Sequence, residues 1–94
     1  MTGAQAKISV IIAAFDMARW PLLVRAVTSA QNQSPPPEVV VAVDNNLALF
    51  HRASTAFGGV TVVLNNRDRG ASVTRNTGAA AATGDILALS LIHI

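Results

Sequence analysis

The sequence is poor in cysteine, charge and aromatics, and each deficit removes a class of protein. The 94 residues include no Cys, which excludes a disulfide scaffold and thiolate metal sites. Only 13% of the residues are charged and 4% aromatic, the net charge is +2, and the arginines are scattered. A nucleic-acid-binding surface needs clustered basic residues interleaved with aromatics, so we expect no nucleic acid partner.

Long apolar runs are missing too, although 51% of the residues are hydrophobic. No stretch reaches the roughly 18 apolar residues that a membrane span needs. Residues 1–7 lack the basic and apolar regions of a secretory signal. We therefore expect no membrane segment in this chain and a cytoplasmic location, with any membrane association supplied by other parts of a complete protein. A composition this apolar indicates one small domain with a core rather than disorder.

The apolar residues fall into four short runs separated by helical patterns. Runs rich in β-branched residues are typical of parallel strands covered on both faces; they cover residues 8–15, 39–43, 60–64 and 85–89. Apolar residues at helical spacing predict helices over about 21–31, 47–57 and 71–83, the second with an apolar face made of Leu47, Phe50, Ala53 and Phe57. Alternating strands and helices predict an α/β fold, a Rossmann-like parallel sheet.

Polar residues follow the predicted strands. Asp16 follows the first strand, Asp44 the second, and Asn65 and Asn66 the third. Parallel strands end at one edge of a sheet, where ligands bind in open α/β folds, so we expect these groups to lie together. Asp44 has two interpretations of equal weight, a ligand contact or a cap for the next helix. The pattern favours a cap for Asp16 and turn positions for the two asparagines.

Several motifs of phosphate and nucleophile chemistry are absent. The chain has no Gly-x-Gly-x-x-Gly after its first strand, no Gly-x-x-x-x-Gly-Lys-Ser/Thr and no Gly-x-Ser-x-Gly. His51 and His93 are too far apart to have the spacing of metal ligands. The loop after the third strand and the start of the third helix would border the strand ends, and this segment contains Arg69, Arg75 and Asn76. Gly70 in the same loop would let the backbone approach a ligand closely.

Three segments together resemble a known family. Residues 8–16 read ISVIIAAFD, residues 38–46 read EVVVAVDNN, and residues 69–78 read RGASVTRNTG. In this order and spacing they resemble the start of a family 2 glycosyltransferase with the GT-A fold, and the resemblance runs over residues 7–89. It implies an inverting enzyme that transfers a sugar from a nucleotide-diphosphate donor, foremost a UDP-sugar, to an acceptor that the sequence does not identify.

The resemblance also implies roles for individual residues. Ala14 and Phe15 would line the nucleobase pocket, and Asp44 would bind the base. Arg75 would lie near the base and the diphosphate. Supporting positions around them are Asp16, Asn45, Arg69, Gly70 and Asn76.

The chain departs from the family pattern after its fourth strand. Members carry Asp-x-Asp there, whose carboxylates hold Mg²⁺ or Mn²⁺ against the diphosphate. Here residues 90–94 read SLIHI and contain no carboxylate. We therefore expect residues 1–94 to be a partial nucleotide-sugar-binding domain, with residues 90–94 an atypical tail from a wrong frame or junction. We expect no metal ligand and no catalytic residue in the chain, and little activity.

Two other classes share the predicted fold. A non-catalytic nucleotide-binding or receiver-like regulatory module would also place acids at strand ends, but the chain lacks paired acids after its first strand and a well-placed lysine. A sugar nucleotidyltransferase needs a Gly-rich basic segment after the first strand, which residues 15–19 do not supply. Nucleotide titration of the protein separates these classes.

Overall fold

A computed structural model gives the structure of the protein and describes residues 7–84 and the backbone of residues 86–89. A short 3₁₀ helix at Met17–Arg19 follows the first strand. The strands and helices, in chain order, are β1 (Ile8–Ala14), α1 (Trp20–Gln31), β2 (Glu38–Asp44), α2 (Leu47–Ala56), β3 (Thr61–Asn65), α3 (Ala71–Ala81) and β4 (Ile86–Leu89). The predicted start of the fourth strand at Asp85 and the tail 90–94 lie outside the described residues.

The described strands form one parallel sheet in the order β3-β2-β1-β4. The chain moves outward from β1 to β3 and then returns past β1 to β4. This reversal between β1 and β4 is a topological switch point, beside which open α/β sheets bind ligands at the carboxyl ends of their strands. The predicted α/β fold with a Rossmann-like parallel sheet is confirmed.

Alternate residues of the central strands face two helical layers. On one face, α1 and α2 cover a buried cluster that includes Ile12, Val41 and Val43. On the other face, α3 lies close to the sheet at Gly78, where an added Cβ would lie 2.6 Å from Cγ2 of Ile11. Glycine is therefore what lets α3 approach the middle of the sheet, and this fixes where its amino end meets the strand ends.

Three predicted details were wrong, each for a local reason. In α2 Ala53 is buried and Phe50 and Phe57 pack against the core, as predicted, but Leu49 is buried in place of Leu47, which is 58% exposed in the first turn of the helix. Helix α3 ends at Ala81 rather than residue 83, because the Thr83 backbone amide donates to Glu38. Strand β3 starts and ends one residue later than predicted, in a register that places Asn65 opposite Asp44.

At the amino end of the sheet, the carboxylate of Glu38 connects β2 to the first strand and to the segment that follows α3. It accepts hydrogen bonds from the Ser9 hydroxyl at 2.6 Å and from the Thr83 amide and hydroxyl at 2.8 and 2.9 Å. The Ser9 and Thr83 bonds lower the pKa of Glu38 to about 2, the Ser9 hydroxyl contributing most. Lys7 donates to the Thr83 hydroxyl at 3.0 Å, and the Gly84 amide donates to Ser9 at 2.9 Å. Three segments are thus tied together at the end of the sheet opposite Asp44.

Candidate functional site

Asp44 is the last residue of β2, and its partly buried carboxylate joins three segments of the chain. Its Oδ1 accepts from the side-chain amides of Asn45 at 2.7 Å and Asn65 at 3.3 Å. Its Oδ2 accepts from the backbone amide of Gly70 at 3.1 Å. The carboxylate therefore connects the end of β2 to the end of β3 and to the residue that precedes α3.

The alternative interpretation of Asp44 as a helix cap is wrong. The cap of α2 is Asn46, whose Oδ1 accepts from the amide of Leu49 at 3.0 Å. The Asn46 amide also donates to the carbonyl of Phe15 at 3.3 Å, which holds the end of the first strand against the start of α2. Asn46 therefore caps α2, and the Asp44 carboxylate lies at the edge of the sheet without a capping role.

Asn65 is the residue whose importance the sequence did not reveal. Asn65 ends β3 and opens a turn, as the sequence predicts, and its side chain is also buried, with 2% exposure. Its Nδ2 donates to the Asp68 carbonyl at 2.8 Å, to the Thr74 hydroxyl at 3.1 Å and to Asp44, while its Oδ1 accepts from the Arg67 amide at 3.1 Å. The sequence feature that could have indicated this role is an amide residue at a strand end, followed three residues later by Asp-Arg-Gly.

Asn45 supports the same edge with an unusual backbone conformation. Its φ of 48° lies in the left-handed region, which Asn tolerates better than most residues. Its backbone amide donates to the Asn65 carbonyl at 2.8 Å, and its side-chain amide also reaches the Arg67 carbonyl at 3.2 Å. Asn45 thereby extends the pairing of β2 and β3 one residue past the sheet.

The first strand brings Ala14 and Phe15 beside Asp44. Ala14 is buried and pairs with Val43, so Phe15 follows at the level of Asp44. Asp16 caps the 3₁₀ helix, as predicted, with Oδ1 accepting from the Arg19 amide at 3.0 Å and Oδ2 lying 3.9 Å from Arg19 Nε. Asp16 therefore acts locally. Ala14 belongs to the buried cluster under α1 and α2, and Phe15 lies level with Asp44 on the neighbouring strand.

Gly70 and Arg75 lie at the start of α3. Gly70 precedes the helix with a φ of 136°, a backbone conformation that a side chain would strain, and its amide faces Asp44. Helical geometry places Arg75 on the opposite flank of α3 from Val73 and Thr77, which lie beside β3, so Arg75 is on the flank toward β1 and the switch point. The guanidinium groups of Arg69 and Arg75 make no hydrogen bond within the described part of the chain.

A cavity of about 520 Å³ lies between β3 and the other flank of α3, and Asn65 is among the residues that line it. The residues that line it include Asn66, Arg67 and Asn76. Asp44 is not among its lining residues. The structure therefore brings Asn45, Asn65 and Gly70 together around Asp44 and places Asn76 on the outer side of the helix.

The described residues do not fit a divalent cation. Residues 7–84 contain no group of three His, Asp or Glu that could hold a metal. Of the two carboxylates at the strand ends, Asp16 caps a helix and Asp44 accepts three hydrogen bonds. The position of the family's Asp-x-Asp and His93 lie outside the described residues. Over the part of the chain that is described, no helix is both long enough and apolar enough to cross a membrane.

The fold and the polar strand ends define a Rossmann-like α/β protein. The sequence profile described as Glycosyl transferase family 2 matches residues 9–90, and the chain belongs to this family. It is similar to the glucosyl-dolichyl phosphate glucuronosyltransferase of Haloferax volcanii, with 34% identity over 87 residues. That alignment covers 88% of the chain and 28% of the relative. No solved structure matches significantly.

Family membership confirms the resemblance drawn from the three sequence segments and decides against the receiver-like and nucleotidyltransferase alternatives. Because the chain spans about 28% of the length of the curated relative, the activity of a whole protein is a separate matter from the family.

Proposed function

We propose that residues 1–94 form the donor-binding, N-terminal part of a GT-A domain in an inverting glycosyltransferase. In this proposal Asp44 binds the nucleobase of a nucleotide-diphosphate sugar, and Ala14 and Phe15 form the adjoining wall. The observation that carries the proposal is the carboxylate of Asp44, held at the carboxyl end of β2, one strand from the switch point, by three donors that leave the residue partly exposed. We expect these residues by themselves to bind the donor with little transfer of sugar.

The hydrogen bonds of Asp44 favour a base with a single donor. An ionised carboxylate offers about four acceptor positions. Oδ1 has the Asn45 amide at 2.7 Å and shares the Asn65 amide, at 3.3 Å, with two other acceptors. Oδ2 has the Gly70 amide at 3.1 Å as its one donor, which makes Oδ2 the more open of the two oxygens. Uracil presents one imide N–H between two carbonyls, whereas guanine presents two adjacent donors that would need both oxygens. Thymine presents the same imide edge, so the hydrogen bonds favour a uracil or thymine nucleotide over a guanine one. A UDP-sugar is the proposed donor because the family resemblance implies it.

The diphosphate would lie over the amino end of α3. Gly70 has no side chain to block the approach, and the guanidinium groups of Arg75 and Arg69 are unpaired within the described residues. A guanidinium meets two phosphate oxygens with its planar pair of donors. Asn45 supports this site through its side chain and its backbone amide. Asp16 caps the 3₁₀ helix that follows the first strand, and Asn76 contributes only from the outer flank of α3.

The complete enzyme is proposed to use Mg²⁺ or Mn²⁺, which would neutralise charge on the leaving diphosphate. The described residues supply no ligand set for it. The relative's name specifies a dolichyl-phosphate glucoside as acceptor, and this is the first acceptor class to test on a complete protein. The proposed location is cytoplasmic, with a lipid-linked acceptor reached at the membrane surface.

Calorimetric titration of the 94-residue chain with UDP, GDP and dTDP, with and without Mn²⁺, tests the proposal. We expect UDP to bind and GDP to bind about tenfold or more weakly, since guanine would leave a donor unpaired. Asp44→Asn should abolish the preference for UDP. Asp68→Asn is the matched control, because it removes the same charge from an exposed side chain in the neighbouring loop. No binding of any nucleotide, or equal loss in both variants, would overturn the proposal.

A further inference from the structure

The side chain of Asn65 is a buried amide at the centre of the proposed nucleotide site, yet it is not directed at a ligand. Among the described residues, the buried polar side chains are Ser9, Asn65 and Thr74. Ser9 belongs to the Glu38 network at the opposite end of the sheet. Asn65 and Thr74 are in contact with each other beneath Asp44. A buried amide of this kind is costly unless its hydrogen bonds are made.

The amide nitrogen of Asn65 has more acceptors than protons. An Asn amide carries two N–H groups, and three acceptors lie at 2.8 Å (Asp68 carbonyl), 3.1 Å (Thr74 hydroxyl) and 3.3 Å (Asp44 Oδ1). Its oxygen meanwhile accepts from the Arg67 amide. One side chain therefore shapes the 65–68 turn and reaches the carboxylate that is proposed to read the base.

We propose that Asn65 is a positioning residue for the nucleotide site, which fixes the orientation of the Asp44 carboxylate and of the loop that carries Gly70. This inference rests on the proposed function of Asp44. Asn65 acts on Oδ1 and on the Asp68 carbonyl, while Oδ2 keeps the Gly70 amide and one open acceptor position. The ligand contacts Asp44, and Asn65 acts through it.

Without Asn65 the carboxylate loses one of the two donors that hold Oδ1. The terminal torsion of an Asp side chain has a broad, two-fold energy profile, so its orientation depends on the two contacts that remain, from Asn45 to Oδ1 and from the Gly70 amide to Oδ2. The loop from Arg67 to Gly70 loses its anchor at the same time. We expect UDP affinity to fall about tenfold in Asn65→Ala, the equivalent of one lost well-placed hydrogen bond.

A purely structural role for Asn65 predicts a different result, and Thr74 provides the matched control. Thr74→Val removes a buried partner of the same amide but leaves the contact to Asp44, since Val replaces the hydroxyl with a methyl of similar shape. Both variants lose stability. If Asn65 positions Asp44, only Asn65→Ala loses UDP affinity, because Thr74→Val frees an amide proton for the carboxylate.

The experiment combines calorimetric UDP titration and urea unfolding with hydrogen exchange of the Gly70 amide, measured by NMR on the 94-residue chain. We expect faster Gly70 exchange and about tenfold weaker UDP binding in Asn65→Ala, with both close to wild type in Thr74→Val. Equal losses of affinity in the two variants, or unchanged Gly70 exchange in Asn65→Ala, would overturn the inference. A wild-type chain that binds no UDP overturns the proposed function instead, and Gly70 exchange still decides whether Asn65 holds Asp44.

Discussion

Asp44 and Asn65 lie opposite each other at the ends of β2 and β3, and the Asn65 amide donates to Oδ1 of Asp44 at 3.3 Å. Their pairing in the sheet continues into their side chains. Because Asn45 and Gly70 donate to the same carboxylate, the group that faces the proposed ligand is fixed by donors from three separate segments. Such preorganisation lowers the entropic cost of binding.

Arg75 is predicted to contribute through the diphosphate and not through the base. Arg75→Ala should weaken UDP binding about tenfold or more, the range of a hydrogen bond to a charged group, and leave uridine binding unchanged. Arg25→Ala, on the exposed side of α1, is the control and should alter neither. Calorimetry with both ligands checks this, and an equal loss for uridine and UDP would show that Arg75 acts on the base or on the fold.

Gly78 is predicted to be intolerant of a side chain. Gly78→Ala places a Cβ 2.6 Å from Cγ2 of Ile11 and 3.1 Å from the Cβ of Ala42, so α3 must shift outward. Overpacking of this kind costs about 1–3 kcal/mol in the free energy of unfolding, measured with urea. Gly58→Ala is the control, because nothing lies within 4 Å of the added Cβ. Equal stability of the two variants would contradict the close approach of α3.

Alanine substitutions of the two leucines at the start of α2 should differ sharply in their effect on the free energy of unfolding. Leu49 is fully buried in the cluster under α1 and α2, so Leu49→Ala should cost about 2–5 kcal/mol. Leu47 is 58% exposed, so Leu47→Ala should change stability by about 0.5 kcal/mol or less. Urea unfolding of both variants checks the orientation of the helix. A larger loss for Leu47→Ala would restore the stripe predicted from the sequence.

Glu38 makes stability depend on pH. The folded pKa of about 2 lies below the ordinary value of 4.5, chiefly because the Ser9 hydroxyl and the Thr83 amide donate to the carboxylate. A lowered folded pKa stabilises the protein above the unfolded pKa, and this stabilisation is lost as pH falls from 4.5 towards 2. Urea unfolding across this range should show that loss in wild type. The loss should be smaller in Glu38→Gln, and an identical pH profile would refute the assignment.

The sequence predicted the elements and the adjacency of their polar ends, and missed how the side chains are shared among them. A continuous apolar run rich in β-branched residues identifies a buried strand, and parallel pairing of two such strands then brings Phe15 and Asp44 to one level. Whether Asp44 or Asn46 caps α2 depends on a backbone angle at Asn45 that no pattern encodes. The burial of Asn65 depends on how closely α3 approaches the sheet, a tertiary distance that Gly78 sets.

Strand β2 carries Glu38 at its first residue and Asp44 at its last, with a buried apolar segment between them. Five strand residues lie between them, so the two Cα atoms are about 20 Å apart, well beyond the range over which substitutions couple. The changes in the free energy of unfolding that substitutions cause at the two ends should therefore be additive. An engineer could strengthen the Ser9–Glu38–Thr83 end to offset stability lost by altering base preference at the Asp44 end, without one set of changes constraining the other.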